Sequence, residues 1–262
     1  MSKKISVYII AFNEIEKIEQ CINSVLWADE IILADSFSTD GTVELAEKLG
    51  AKVVQIKFQG FGNLRNQAIS HCKNEWILSI DADERCTAEV KDEILKTISE
   101  TKLEIFKIPR RNFFMGRWIK FSGWYPNFRQ PQLFKKGKMI YDNKPVHEGY
   151  ISKSKFEIGV LKNHIWQFPF KNFEEVVIKA NKYSTLGVVK LDQKNIKGSF
   201  VKALIHGAWS FIKHYIFKLG FLDGVPGFII AFGNFEGTFY RYIKLLEYQS
   251  KWRTPKVKPI KK

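Results

Sequence analysis

Apolar residues in the first hundred positions follow two alternating rhythms. Short, nearly continuous runs at 5–10, 30–35, 52–56 and 76–80 are rich in Ile, Val and Leu. They have the length and branching of buried parallel strands. Between them apolar residues return at helical spacing. Ile15, Ile18, Ile22, Val25 and Leu26 share one face, 43–49 stops at Gly50, and a third helix follows Gly60-Phe61-Gly62. This rhythm predicts a doubly wound, mostly parallel sheet. In such sheets ligands bind beyond the carboxyl ends of the strands. The polar clusters fall there: Asn13 and Glu14, then Asp35 and Asp40, then Asp81 and Asp83.

The pattern changes after residue 100. Residues 104–150 read as strands and loops rich in aromatic rings, most of which must serve core packing. Trp124 and Tyr125 sit between Gly123 and Pro126, a loop setting that makes them candidates for ligand contact. Three helical segments follow: one from Phe173, one over 200–219, and one after Gly227. They pair apolar and aromatic faces with Lys and Arg rims, as interfacial helices on an anionic membrane do; packing onto the sheet domain is the alternative. The expected organisation is a sheet domain over 1–165, divided into halves 1–100 and 101–165. A basic helical extension over 166–252 and a flexible tail over 253–262 complete it.

Charge sharpens this division. The net charge is +15 in 262 residues, yet residues 1–100 carry 11 Lys+Arg against 17 Asp+Glu, a net of −6. The remainder carries 31 against 10, a net of +21, and looks built to sit near something anionic. Cys21, Cys72 and Cys86 show no pairing or zinc spacing and read as free thiols in a reducing compartment. The N-terminal residues are too poor in apolar side chains for a signal peptide. No apolar run approaches the ~20 residues of a membrane span.

The chemistry concentrates at Ser79-Ile80-Asp81-Ala82-Asp83-Glu84, where an apolar run enters three carboxylates. Unpaired carboxylates at a strand end are costly in themselves. They suit a hard divalent cation that shares one or two carboxylates with substrate phosphates, and Mg2+ or Mn2+ is the expected cofactor. A dinucleotide fingerprint would place Gly-x-Gly-x-x-Gly after the first strand, where this chain has Ala-Phe-Asn-Glu; no P-loop ending occurs either. His164, after an apolar stretch, is a candidate third metal ligand or diphosphate contact, with a structural histidine as the alternative. A general base would come from Glu148, beside His147, or from Asp142. Asp35, Asp40 and Glu14 have a plainer reading as turn, cap and helix-dipole residues.

Four ordered motifs together resemble the family-2 glycosyltransferases of GT-A fold. They are Ala11-Phe12-Asn13-Glu14, residues 34–42 (Ala-Asp-Ser-Phe-Ser-Thr-Asp-Gly-Thr), residues 62–68 (Gly-Asn-Leu-Arg-Asn-Gln-Ala) and Asp81-Ala82-Asp83-Glu84. The resemblance implies inverting transfer of a sugar from a nucleotide-sugar donor with a divalent metal. It implies that Phe12, Asn13, Glu14 and Asp35 line the nucleotide, with Glu14 and Asp35 at base and ribose and Asp40 supporting their loop. Arg65 and Asn66 would face the nucleotide, and Asp81 and Ala82 the nucleotide-sugar. Asp81 and Asp83 would form the DxD element, Asp83 being the favoured ligand. Gly123-Trp124-Tyr125-Pro126-Asn127, Val146-His147-Glu148, Asn181-Lys182-Tyr183-Ser184 and residues 220–224 look like the lipopolysaccharide-core β-glucosyltransferase subgroup. That subgroup usually has Asp after Tyr-Pro and Arg before Leu-Phe, where this chain has Asn127 and Gln132.

The resulting expectation is a GT-A glycosyltransferase, cytoplasmic and peripheral on the inner face of the cytoplasmic membrane. It would move glucose from UDP-glucose to a lipid-linked oligosaccharide of the lipopolysaccharide inner core. Trp124, Tyr125 and His147 would meet that acceptor. Two rivals remain open. One is a transferase acting on a polyprenyl phosphate, capsule or other envelope precursor. The other is a non-catalytic basic protein for lipid or nucleic acid, against which the joint presence of Asp35, Asp81, Asp83 and Glu148 argues; no nucleic-acid partner is expected.

Overall fold

The computed structural model describes residues 3–126, 130–142 and 149–250. The elements run in order as β1 (Ile5–Ala11), α1 (Ile15–Asn23), β2 (Glu30–Asp35), α2 (Thr42–Lys48), β3 (Lys52–Gln55), α3 (Phe61–His71), β4 (Trp76–Asp81), β5 (Glu84–Arg85) and α4 (Ala88–Glu100). Short strands follow: β6 (Ile105–Lys107), β7 (Arg110–Phe114), β8 (Arg117–Trp118), β9 (Leu133–Lys135), β10 (Met139–Tyr141), β11 (Tyr150–Ser152), β12 (Gly159–Val160) and β13 (Ile165–Gln167). Three helices close the described chain: α5 (Phe173–Gln193), α6 (Phe200–Ile212) and α7 (Val225–Ser250).

The chain forms two compact units, one of residues 1–113 and 126–169, the other of 114–125 and 170–262. In the first, the main sheet has the order β12-β6-β9-β4-β1-β2-β3. β1, β2, β3 and β4 are parallel, while β9 runs antiparallel to β4 and β6. β1 shows why it lies at the centre. Its alternate residues Val7 and Ile9 face a core shared with Ile18, Ile22 and Ile94, and Tyr8 and Ile10 face one shared with Leu64 and Ala68. Strand order reverses between β1 and β4, so a crevice opens beyond their carboxyl ends. The register sets Ala11 beside Asp35 and Ile10 beside Asp81. A smaller sheet joins β13 to β5 and β7, and so ties residues 84–85 to the strand that begins at Arg110.

In the second unit α7 packs between α5 and α6. Its start differs from the expected one: it begins at Val225, with Pro226 in the first turn, where a missing N–H costs nothing. The expected second helix ends earlier, at Ile212, and passes into a wide π turn over Lys213–Phe217. Residues 114–125 also sit apart from the expected division at 165. The buried Asp223 carboxylate accepts the Lys120 and Phe121 amides at 3.0 and 3.1 Å and the Ser122 hydroxyl at 2.8 Å. That single acceptor draws the segment to the helices. Gly227 permits the turn beneath it, because a Cβ there would lie 1.9 Å from the Gly220 carbonyl oxygen.

Candidate active site

Two loops at the carboxyl ends of β1 and β2 are stitched together by short polar side chains. Asn13 adopts a left-handed backbone, φ 55°, which asparagine tolerates well. Its amide donates to Ser38 Oγ at 2.8 Å, and its Oδ1 accepts the Thr39 amide at 2.8 Å. Asp35 is fully buried, and its two oxygens take the Ser38 amide and hydroxyl. It therefore shapes the loop from inside instead of presenting a free carboxylate. Asp40 accepts the Ile15 amide at 3.0 Å and both the amide and hydroxyl of Thr42, whose Oγ1 accepts the Glu14 amide at 2.9 Å. Burial pushes the Asp40 carboxyl up, but these hydrogen bonds outweigh it and hold it below its usual range. Glu14 itself pairs with Lys17 at 3.3 Å. The stitching leaves the rings of Phe12 and Phe37 59% and 58% exposed above the strand ends, where a planar base can stack.

The second part of the site is the turn from β4 into β5. Arg65, buried on α3, donates to Ser79 Oγ at 3.0 Å and to Asp81 Oδ1 at 2.7 Å. Its guanidinium also lies 5.5 Å from the Tyr141 ring centre. Burial alone would lower its affinity for the proton; Asp81 reverses this and holds it firmly charged. Asn66 exchanges hydrogen bonds with the Tyr141 backbone at 2.8 and 2.9 Å, so it anchors β10 to α3. Asp83 is pushed up to about 6, first by burial and then by the Asp81 charge, with the Gln167 amide at 3.2 Å opposing the shift. Ala82 is buried and gives its carbonyl to Arg85 at 2.9 Å; the same guanidinium holds the Glu84 carbonyl at 2.7 Å and the Lys17 carbonyl at 2.9 Å.

Glu84, fully buried, forms the floor. It accepts the Asp81 amide at 2.9 Å and the Gln132 amide group at 3.1 Å, and pairs with Arg110 at 2.5 Å. Burial pushes its carboxyl up to about 8; Arg110 opposes this, while Asp81 and Asp83 add to it. Arg110, Gln132, Gln167 and Arg85 were not among the expected site residues. Gln132 gave a partial signal. It stands where the resembling subgroup has arginine, and here a guanidinium reaches the same carboxylate from Arg110.

The remaining expected residues are distributed as follows. Trp124 packs on Phe114 and Phe170, with ring centres 5.9 and 6.2 Å away, and Tyr125 meets Trp118 edge-on at 5.5 Å. Asp142 exchanges hydrogen bonds with Gly149 at 2.7 and 3.0 Å. His147, Glu148 and Asn127 lie outside the described residues. His164 precedes β13; burial and Arg111 lower its proton affinity, and Glu93 opposes them. Among the described residues no three His, Cys, Asp or Glu side chains converge as a metal cage, so His164 is not gathered with Asp81 and Asp83.

The donor set still fits a metal. A carboxylate whose charge is disfavoured by burial and by a neighbouring carboxylate gains from a cation. Both oxygen donors are hard, as Mg2+ and Mn2+ require, and two carboxylates completed by substrate phosphates is the usual set for such ions.

A model for the family described as Glycosyl transferase family 2 matches residues 6–156. The chain belongs to that family. It is a nucleotide-sugar-dependent glycosyltransferase of GT-A fold. An uncharacterized glycosyltransferase of Rickettsia bellii (strain RML369-C) is 32% identical over 265 residues, covering 94% of this chain and 87% of its own. The lipopolysaccharide core biosynthesis glycosyltransferase LpsC of Rhizobium meliloti (strain 1021) is 28% identical over 252 residues, 91% of this chain and 89% of LpsC. Among solved structures, S. aureus TarS 1-349 in complex with UDP-GlcNAc aligns over 95% of this chain and 92% of its own, with a TM-score of 0.50 and 17% identity, a likeness of fold.

Proposed function

We propose that this glycosyltransferase moves glucose from UDP-glucose, with inversion, onto a lipid-linked acceptor of the lipopolysaccharide inner core. The observation that carries the donor half is the pair Asp81 and Asp83 at the turn from β4 into β5, where burial and the Asp81 charge push the Asp83 carboxyl up to about 6. The similarity to LpsC across nearly the whole chain, together with the subgroup motifs around Trp124, Asn181 and Gly220, supports the acceptor half.

Asp83 would hold Mg2+ or Mn2+, with Asp81 alongside. The bound ion supplies positive charge against the diphosphate as it leaves. Arg65 orients Asp81 through the 2.7 Å hydrogen bond between them. Phe12 and Phe37 offer their exposed faces to the base, over the loop that Asn13, Asp35 and Asp40 hold in shape. The acceptor oxygen bonds to the anomeric carbon from the side opposite the diphosphate. The carbon–phosphate-oxygen bond breaks, and its electron pair leaves with UDP. The acceptor proton passes to a carboxylate, assigned to Glu148, which directly precedes Gly149 in sequence. An acceptor of this kind is anchored in a bilayer, so the reaction belongs at the membrane's cytoplasmic surface.

The test is product analysis with a purified heptose-containing core lipid and a polyprenyl phosphate offered side by side. A mass increase of one hexose on the core lipid alone is expected. Modification of the polyprenyl phosphate alone would refute the acceptor assignment. Glu148→Gln should lower turnover by about 10²-fold or more with UDP affinity kept. If Asp142→Asn does so and Glu148→Gln does not, the base is Asp142.

A further inference from the structure

Helix α6 leaves a broad apolar face in solvent. At helical spacing Val201, Leu204, Ile205, Trp209 and Ile212 fall on one stripe. They are 61, 42, 61, 55 and 41% exposed. The opposite face is already used. Ala203 and Gly207 are buried, and a Cβ on Gly207 would lie 3.0 Å from the Phe235 ring of α7. The π turn extends the stripe to Phe217, 66% exposed. Folded chains rarely leave so large a contiguous apolar surface without a partner.

Charge selects that partner. Residues 194–222 contain five lysines and no Asp or Glu, and Lys202 and Lys213 flank the stripe in solvent. A second copy of this face would set one lysine rim against another. The chain's own residues 251–262, with six Lys and Arg and no acid, would meet the same repulsion. No described helix is long and apolar enough to cross a membrane. An anionic bilayer surface answers both features: acyl chains take the stripe, and headgroup phosphates take lysines whose stems lie along it.

We infer that α6 and the π turn after it form the face by which the protein docks on anionic lipid. The choice of a lipid surface rests on the reading of a lipid-anchored acceptor; the transfer chemistry is separate and separately measured. The experiment is co-sedimentation of the full chain with phosphatidylcholine vesicles, with and without phosphatidylglycerol. Wild type should bind the anionic vesicles preferentially. Ile205→Ser/Trp209→Ser should bind at least about tenfold more weakly, since burying a single large apolar side chain is worth about that much. Lys202→Glu/Lys213→Glu should also lose at least about tenfold on anionic vesicles, each basic residue near such a surface being worth roughly fivefold. Both variants should hydrolyse UDP-glucose without vesicles at the wild-type rate, which separates a failed docking face from a failed catalytic site. Equal binding of wild type to both vesicle types, or unchanged binding of both variants, would overturn the inference. So would a wild-type dimer in sedimentation that Ile205→Ser/Trp209→Ser splits, which would assign the stripe to a second copy.

Discussion

Asp83 is where local physics and chemistry meet most directly. Its folded-state proton affinity is raised, to about 6, because burial and Asp81 disfavour its charge. The folded chain therefore holds this proton more tightly than the unfolded chain. The stability it lends is full below the unfolded carboxylate range and is lost as pH rises through about 6. At pH about 7.5, Asp83→Asn should melt no lower than wild type while transfer is lost, since the substitution removes an unfavourable charge along with the proposed metal ligand. A large drop in melting temperature would show that Asp83 instead stabilises the fold. The proton also competes with the metal. Mn2+ affinity in the presence of UDP should fall by up to about tenfold for each pH unit below the Asp83 midpoint. Calorimetry giving the same affinity on both sides of that midpoint would rule Asp83 out as a ligand. Asp81 and Asp83 were legible in sequence because an apolar strand running into acids is a local pattern. The closed state of Asp35 was not, because it depends on Ser38 folding back onto both carboxylate oxygens.

At the scale of elements, the buried pair of Glu84 and Arg110 joins β5 to β7 beneath the Asp81–Asp83 turn. At pH about 9, above the Glu84 midpoint of about 8, Arg110→Met strands a buried carboxylate and should cost about 3–5 kcal/mol. Adding Glu84→Gln should recover most of it, since a neutral amide needs no guanidinium. Urea unfolding of the two single variants and the double variant measures this; purely additive losses would mean the pair is not coupled. Asp223 has the matching role in the helical unit. Asp223→Ala leaves two amides and a hydroxyl without their acceptor and should cost about 1–3 kcal/mol for each donor left buried and unmet. An unchanged melting temperature would contradict that role. Periodicity located β1 to β4 and the first three helices, because each buries one stripe or both faces of a run. It could not assign residues 114–125 to the helices or end α6 at Ile212. The first depends on a carboxylate about a hundred residues away, and the second on a π turn that shifts the helical phase.

Across the whole molecule, charge is divided between an acid-rich first hundred residues and a basic remainder. On the proposed account, the parallel sheet carries the carboxylates that would hold a metal, and the later chain carries the cations that would meet an anionic surface. The sheet and its strand-end site were readable because both follow from short-range patterning. The placement of Arg110, Gln132 and Gln167 around that site was not, because each arrives on a strand whose partners are distant in sequence. Release of UDP from UDP-glucose by the full chain, followed with Mn2+, with excess chelator, and with Asp83→Asn, tests the metal-dependent chemistry most directly. Release should proceed with Mn2+ and be lost in chelator and in the folded variant. Equal release in chelator, or full release by Asp83→Asn, would contradict a transferase that works through a metal at Asp81 and Asp83.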